Sequence, residues 1–145
     1  ENPSIEVVID LHRDGVADTK RLVTEVNGKQ MASIMFFNGL SRTTATGDIP
    51  YLYNPYLKDN LAFSLQMQLT AMQYYPNLVR PIYLKGYRYN MHYCPKSLLV
   101  EVGAQTNTVE EARSAMEPLA DVLYRVLSPN EYLKKVFLIG NRKEI

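Results

Sequence analysis

Two side chains of this 145-residue sequence have types and positions suited to hydrolytic chemistry. His12 directly follows an apolar run at residues 5–11, and Glu101 lies near the end of another at residues 97–102. A neutral imidazole can bind zinc, and a nearby carboxylate can take a proton from metal-bound water, whose pKa zinc lowers to about 7. If the two runs are parallel neighbours in a sheet, both side chains reach the same edge, so their positions predict a site.

A purely structural interpretation of these two residues is also open, because one histidine and one glutamate form a weak motif. In that interpretation His12 is a loop histidine bonded to Asp10 or Asp14, and Glu101 is a charged residue on an edge strand. Spacing alone does not decide between the two.

His92 and Cys94 offer a further set of polar groups. Side chains two residues apart share a face of an extended chain, so both could be metal ligands or part of a thiol site. Cys94 is the only cysteine, which rules out an internal disulfide and a multi-cysteine metal cluster. A loop histidine and an inert thiol are the structural alternatives.

Strands must position His12 and Glu101. The first apolar run reads as a strand covered on both faces of a mainly parallel sheet, ending in a polar loop at residues 12–15. Residues 97–102 read as a central strand, and residues 79–84 as an edge strand, because Pro81 lacks an N–H donor. Asn27-Gly28 predicts a two-residue hairpin turn, whose second arm is buried at residues 31–37.

Two helices are predicted between and after these strands. The first begins at Asn54-Pro55 and ends at Pro76, and its proposed core stripe is Leu57, Leu61, Leu65, Leu69 and Met72. Thr108 and Glu111 predict a capping box for the second helix, which Pro118 should kink or split. Its proposed buried face is Ala112, Ala115, Met116, Leu119, Leu123 and Val126. The predicted fold class is therefore α/β, with a mixed, mainly parallel sheet and helices on both faces.

The amino-acid composition argues against some classes of binding partner. Lys and Arg total 16 against 15 for Asp and Glu, and no long basic run is present, which argues against nucleic acid. No apolar stretch reaches the roughly 20 residues that cross a bilayer. The chain starts at Glu1 and soon enters a strand-like run, so we interpret it as a fragment truncated on its N-terminal side.

Several segments resemble the stage II sporulation protein P family, in the order expected of it. They are residues 8–15, 60–63, 80–84 with 88–90, and 98–103 with 107–112. That family is similar to the zinc-dependent N-acetylmuramoyl-L-alanine amidases, which have an α/β domain. The resemblance implies hydrolysis of septal peptidoglycan during engulfment in spore-forming bacteria.

The resemblance also implies roles for particular residues. His12 corresponds to the family's later zinc ligand, and Glu101 to its catalytic acid/base. The family's earlier histidine is expected upstream of Glu1. We therefore interpret residues 1–127 as the C-terminal portion of an amidase catalytic domain and residues 128–145 as a tail able to form a short helix. The fragment alone is expected to bind zinc poorly and to catalyse little.

Further side chains are candidates for positioning or substrate contact. Asp10, Arg13 and Asp14 could orient the metal ligand or touch substrate. The loop residues Tyr87 and Tyr89 could contact glycan, although tyrosines more often pack with their hydroxyl at the surface. Three basic residues could meet stem-peptide carboxylates, with solvated surface charge as the default: Arg80, Lys85 and Arg88.

Partners and location follow from the resemblance alone. It implies peptidoglycan as substrate, sporulation proteins D and M as partners, and an N-terminal membrane anchor missing from this sequence. It places the protein outside the cytoplasm, at the sporulation septum or engulfing membrane, and allows an additional endopeptidase activity. The alternative function is a non-catalytic peptidoglycan-binding or scaffold module that keeps the amidase fold.

Overall fold

The computed structural model of the protein describes residues 4–128. The helices are α1 (Leu57–Tyr74) and α2 (Val109–Leu127), with a 3₁₀ turn at Pro50–Leu52. The strands are β1 (Val7–Asp14), β2 (Val23–Val26), β3 (Lys29–Ala32), β4 (Ile34–Gly39), β5 (Arg42–Thr43), β6 (Gly47–Asp48), β7 (Tyr83–Lys85) and β8 (Lys96–Ala104). The predicted tail lies, except for Ser128, outside the described residues.

The main sheet of the described chain has four strands in the order β1-β8-β4-β7. β1 pairs with β8 in parallel, β8 with β4 antiparallel, and β4 with β7 in parallel. The mixed α/β sheet is therefore confirmed. The central position of β8 and the edge position of β7, which follows Pro81, are also as predicted.

β1 differs from its prediction in two ways. It lies at the edge of the sheet instead of being covered on both faces, and residues 11–13 are exposed. It also continues to Asp14, so His12 belongs to the strand and not to a polar loop. The backbone pairing with β8 extends the strand beyond its apolar run, because hydrogen bonding in a ladder does not depend on side-chain polarity.

The hairpin prediction at Asn27-Gly28 is confirmed. β2 and β3 pair antiparallel around it, and both turn residues have positive φ, 52° for Asn27 and 77° for Gly28, as a type I′ turn requires. Residues 31–37 are buried, as predicted, but they divide at Ser33 into β3 of the hairpin and β4 of the main sheet.

Helices on both faces of the sheet are not observed in residues 4–128. Both helices pack into one hydrophobic cluster with Leu98, Val100 and Val102 of β8. The helical members of this cluster are Phe63, Met67 and Ala71 of α1, and Ala115, Leu119 and Val122 of α2. On the other face Met35, Phe37 and Leu99 pack with Met91 from a loop. One face is thus a helix-covered core, and the other is covered only by loop residues.

The capping box of α2 is confirmed. Glu111 N donates to Thr108 Oγ1 at 3.1 Å, and Thr108 N donates to Glu111 Oε2 at 2.9 Å. The helix is continuous across Pro118, so it is not split. Pro118, Leu119 and Val122 are buried together, and this packing offsets the hydrogen bond that proline cannot donate.

The predicted core stripe of α1 is wrong. Leu65, Leu69 and Met72 are 50%, 57% and 56% exposed. The buried face consists instead of Asn60, Phe63, Ser64, Met67, Gln68 and Ala71. Leucines repeated at intervals of four drift around a 3.6-residue helix, so they do not follow one buried line.

Two polar residues of α1 can occupy the core because they are hydrogen-bonded there. Asn60 Nδ2 donates to the carbonyls of Cys94 at 3.0 Å and Pro95 at 2.9 Å. Asn38 Nδ2 of β4 donates to Ser64 Oγ at 2.7 Å. These bonds tie α1 to β4 and to the segment leading into β8. None of the described helices is long and apolar enough to cross a membrane.

The two faces of α1 can be distinguished by a matched pair of truncations. Met67→Ala is expected to lower the free energy of unfolding by about 2–5 kcal/mol, since Met67 is fully buried. Leu69→Ala should change it by less than about 0.5 kcal/mol because Leu69 is exposed. Urea unfolding followed by circular dichroism measures both. A larger cost for Leu69→Ala would show that the leucine stripe is the buried one.

Candidate active site

The register of β1 against β8 places His12 opposite Glu101. Asp10 stands opposite Leu99 in the same ladder, and Met35 of β4 flanks Glu101 on its other side. Since side chains alternate along a strand, Glu101 shares the face of Leu99, opposite the helices. The structure therefore places the two predicted residues side by side on the face of the sheet that no helix of residues 4–128 covers, here called the helix-free face.

His12 is held by a carboxylate. Its Nε2 lies 2.7 Å from Asp10 Oδ1, and the two side chains are 49% and 28% exposed. Asn90 Nδ2 donates to the other Asp10 oxygen at 2.9 Å, which links β1 to the loop after β7. A carboxylate bonded to one ring nitrogen orients the imidazole and leaves the other nitrogen as a possible ligand atom.

The purely structural interpretation of His12 and Glu101 agrees with the structure only in part. The bond between His12 and Asp10 is the one that interpretation expected. Its second part is wrong, however, because Glu101 lies on the central strand β8 and not on an edge. A carboxylate in the middle of a sheet has less access to water than one at an edge.

Asp14 forms an ion pair that crosses the sheet. Arg80 Nη1 donates to Asp14 Oδ2 at 2.9 Å, and the two side chains are 24% and 25% exposed. Arg80 is therefore not the solvated surface charge assumed by default. Its Nε and Nη2 are buried and have no hydrogen-bond acceptor among residues 4–128. The guanidinium thus has spare donors close to the charged residues of the site.

Glu101 is electrostatically perturbed. Burial raises its pKa, and the nearby Asp14 carboxylate raises it further, while His12 and Arg80 act in the opposite direction. Its Oε2 is buried without a hydrogen-bond donor in the described part of the chain. A carboxyl group that keeps its proton to higher pH suits a residue that both accepts and returns a proton.

Arg13 is not brought to this cluster. Its guanidinium donates to the Asn107 carbonyl, and the residue lines a groove of about 330 Å³ between β1 and α2. Arg13 lies between His12 and Asp14, where the register of β1 against β8 shifts, so its side chain does not follow those of Asp10 and His12. His12 also lines this groove, whereas Glu101 does not.

The two loop tyrosines have different surroundings. Tyr89 packs edge-on against Phe37, with ring centroids 4.6 Å apart and planes at 77°. Tyr87 is 61% exposed. Tyr89 is therefore fixed on the same sheet face as Glu101, and Tyr87 projects into solvent.

His92 and Cys94 resemble their structural alternatives. The His92 ring stacks on Tyr93 at 4.5 Å, and burial lowers the pKa of His92, with the Arg88 charge adding to the effect. Cys94 is a buried free thiol, 3.5 Å from Ser97 Oγ. The thiol is packed below the surface, as expected for an inert cysteine.

The described residues supply only part of a zinc site. His12 supplies one imidazole, but residues 4–128 contain no group of three His, Cys, Asp or Glu side chains placed to hold a metal ion. A catalytic zinc normally takes three protein ligands. The described residues therefore do not form a complete zinc centre by themselves.

Asn107 organises the end of the site and was not singled out by sequence reasoning. Its Oδ1 accepts from Ala104 N at 2.8 Å and Leu22 N at 3.3 Å. Its Nδ2 donates to Glu111 Oε2 at 3.0 Å and to Leu22 O at 3.2 Å. The one available signal was its place between Gly103, which has a φ of 59°, and the capping box.

Comparison with known protein families identifies the family of this chain. The family model for Stage II sporulation protein P (SpoIIP) matches residues 1–124. The match covers the main sheet, α1 and most of α2. No curated protein matches the chain.

Glu101→Gln is expected to stabilise the metal-free protein at neutral pH. The folded pKa of Glu101 lies above its ordinary value of 4.5, so the folded state binds the proton more tightly than the unfolded state. The free energy of unfolding contributed by Glu101 therefore falls as pH rises from about 4.5 through the folded pKa. Glu101→Gln has no titrating carboxyl group at this position, so its free energy of unfolding does not fall in this way.

Urea unfolding at pH 4 and pH 7 in the presence of a chelator tests this expectation. The variant should exceed the wild type at pH 7 and differ little at pH 4. Glu25→Gln, at an exposed position of β2, is the control and should show no such change. A Glu101→Gln protein that is less stable than wild type at pH 7 would contradict the assignment.

Proposed function

This chain belongs to the stage II sporulation protein P family, and on that premise we propose that it is part of a zinc-dependent N-acetylmuramoyl-L-alanine amidase. Its family has a role in sporulation. The proposed substrate is septal peptidoglycan, and the bond cleaved is the amide between N-acetylmuramic acid and L-alanine. The observation that carries the proposal is the pairing of His12 with a half-buried Glu101 of raised pKa on the helix-free face of the sheet.

Glu101 is the proposed acid/base. It takes a proton from the attacking water and later gives one to the leaving amine, so it must hold a proton for part of each cycle. Burial and the Asp14 charge raise its pKa and make the protonated state accessible nearer neutral pH. Zinc, when bound, supplies Lewis acidity at the scissile carbonyl.

His12 is the proposed contribution of this chain to the metal site, and Asp10 orients its ring. The remaining ligands would come from outside the described residues, including the upstream histidine implied by the family resemblance. The sheet and its two helices would then form the C-terminal part of an amidase-like domain. Asp14 and Arg80 would position charge around Glu101.

The cellular location, the partners and an additional activity are also proposed from family membership. We propose action outside the cytoplasm at the septal or engulfing membrane, through an N-terminal anchor. Sporulation proteins D and M are the proposed partners. Endopeptidase action on peptide cross-links is a further proposed activity of the same site.

A non-catalytic peptidoglycan-binding module is the second candidate. The observation that favours it is that residues 4–128 hold no three-ligand metal group. In that case the pairing of His12 with Asp10 would be structural. The two candidates differ in metal content and in turnover.

The decisive test uses the full-length gene product and measures zinc content and the release of stem peptides from purified peptidoglycan. Glu101→Gln should keep zinc and lose about 100-fold or more in turnover, because it removes an acid/base group. His12→Ala should lose both zinc and turnover. His92→Ala and Glu25→Gln are the matched controls, and both should keep zinc and activity.

Each contrary result has a defined meaning. Turnover that is unchanged in either Glu101→Gln or His12→Ala would reject the assigned roles. Peptidoglycan binding without hydrolysis or zinc in the wild-type protein would establish the binding-module function instead.

A further inference from the structure

An aromatic surface lies on the same helix-free face of the sheet as Glu101. Phe37 lies beneath this surface and supports it, and only 7% of Phe37 is exposed. The Tyr83 ring lies 5.5 Å from Phe37 at a tilt of 52°, and the Tyr89 ring lies 4.6 Å from it, edge-on. Tyr83 and Tyr89 are 42% and 39% exposed, so both rings are held from below and open to solvent above.

The backbone around these rings is fixed. Leu40 N donates to the Lys85 carbonyl at 2.7 Å, and Arg42 N donates to the Gly86 carbonyl at 2.8 Å. At Gly39 a side chain is excluded, because a Cβ there would lie 2.4 Å from the Tyr87 carbonyl oxygen. The loop that carries Tyr89 is therefore packed directly onto β4.

Tyr89 also has an unusual backbone conformation. Its φ is 54°, in the left-handed region that non-glycine residues seldom occupy and that costs of order 1 kcal/mol. The Phe37 contact on one side and the Asn90 bond to Asp10 on the other hold the segment in place. Such strained, over-determined residues occur at ligand-binding positions.

The surface is continuous with the candidate active site. Phe37 is opposite Leu99, and Met35 is opposite Glu101, so Phe37 lies two residue pairs along the ladder from Glu101 and on the same face. Asn90 connects the loop to Asp10, the partner of His12. A ligand lying across Tyr83 and Tyr89 would therefore rest on the sheet face that carries Glu101.

We propose that Tyr83 and Tyr89, braced by Phe37, form a sugar-stacking subsite that binds the glycan strand next to the bond cleaved at Glu101. The identification of the ligand as glycan rests on the proposed function. A pyranose ring has an apolar C–H face and a rim of hydroxyls. Tyrosine matches both features, since its ring is apolar and its hydroxyl forms hydrogen bonds. An aliphatic patch would match a lipid better.

Lys85 is compatible with this use of the surface. Its Nζ lies 5.2 Å from the Tyr83 ring centroid, over a ring face that is open to solvent. The side chain is exposed, so a sugar can displace it from the ring and still receive a hydrogen bond from the ammonium group.

The test is an NMR titration of the full-length protein with a peptide-free N-acetylglucosamine pentamer, observing tyrosine ring signals. Tyr83→Ala and Tyr89→Ala should each weaken binding about 3- to 10-fold. Tyr83→Phe and Tyr89→Phe should bind within about 2-fold of wild type, since stacking needs the ring. Tyr124→Ala is the control, because Tyr124 is 70% exposed and lies on α2.

Several results would overturn the subsite. They are wild-type protein that does not bind the pentamer, alanine variants that bind it as wild type does, and phenylalanine variants that lose as much as the alanine variants. Displacement of the pentamer from Tyr83 and Tyr89 by a free stem peptide would assign these rings to peptide instead.

Failure of this subsite and failure of the proposed function are distinguishable. Glu101→Gln should bind the pentamer as wild type does while losing peptide release. If hydrolysis depends on Glu101 but the tyrosine variants bind the pentamer normally, the subsite alone is rejected. If the pentamer binds through the tyrosines and Glu101→Gln keeps full turnover, the acid/base assignment alone is rejected.

Discussion

The parallel pairing of β1 with β8 is the constraint on which both the core and the candidate site depend. The two strands are far apart in sequence, yet their register fixes His12 opposite Glu101 and Ile9 opposite Leu98. Along β8, Val100 faces the helices and Glu101 faces the open side. A slip of one residue would exchange these roles, exposing the apolar side chain and burying a carboxylate among the helices.

Local signals predicted the elements that are defined by a few neighbouring residues. The turn at Asn27-Gly28 and the capping box at Thr108 depend on backbone geometry within four residues, and both were read correctly. The buried face of α1 was not, because its core includes Asn60 and Ser64. Their burial depends on hydrogen bonds to segments far away in sequence, which no helical period reveals.

The candidate site, like the fold, could be predicted from the sequence only in part. His12 and Glu101 could be paired from sequence, since both come near the ends of apolar runs that form parallel neighbours. The bonds from Arg80 to Asp14 and from Asn90 to Asp10 could not, because each joins residues at least sixty-six positions apart. Membership of the sporulation family followed from the order of several short segments, a property of the chain and not of any one element.

The buried Asn107 side chain links several parts of the fold through hydrogen bonds. It bonds to the last residue of β8, to the segment before β2 and to the first turn of α2, while Arg13 of β1 bonds to its carbonyl. Opening any one of these leaves buried polar groups unsatisfied in the others. The ends of β1 and β8 should therefore unfold locally as one cooperative unit with the start of α2. Local unfolding near the site then requires loss of the helix cap.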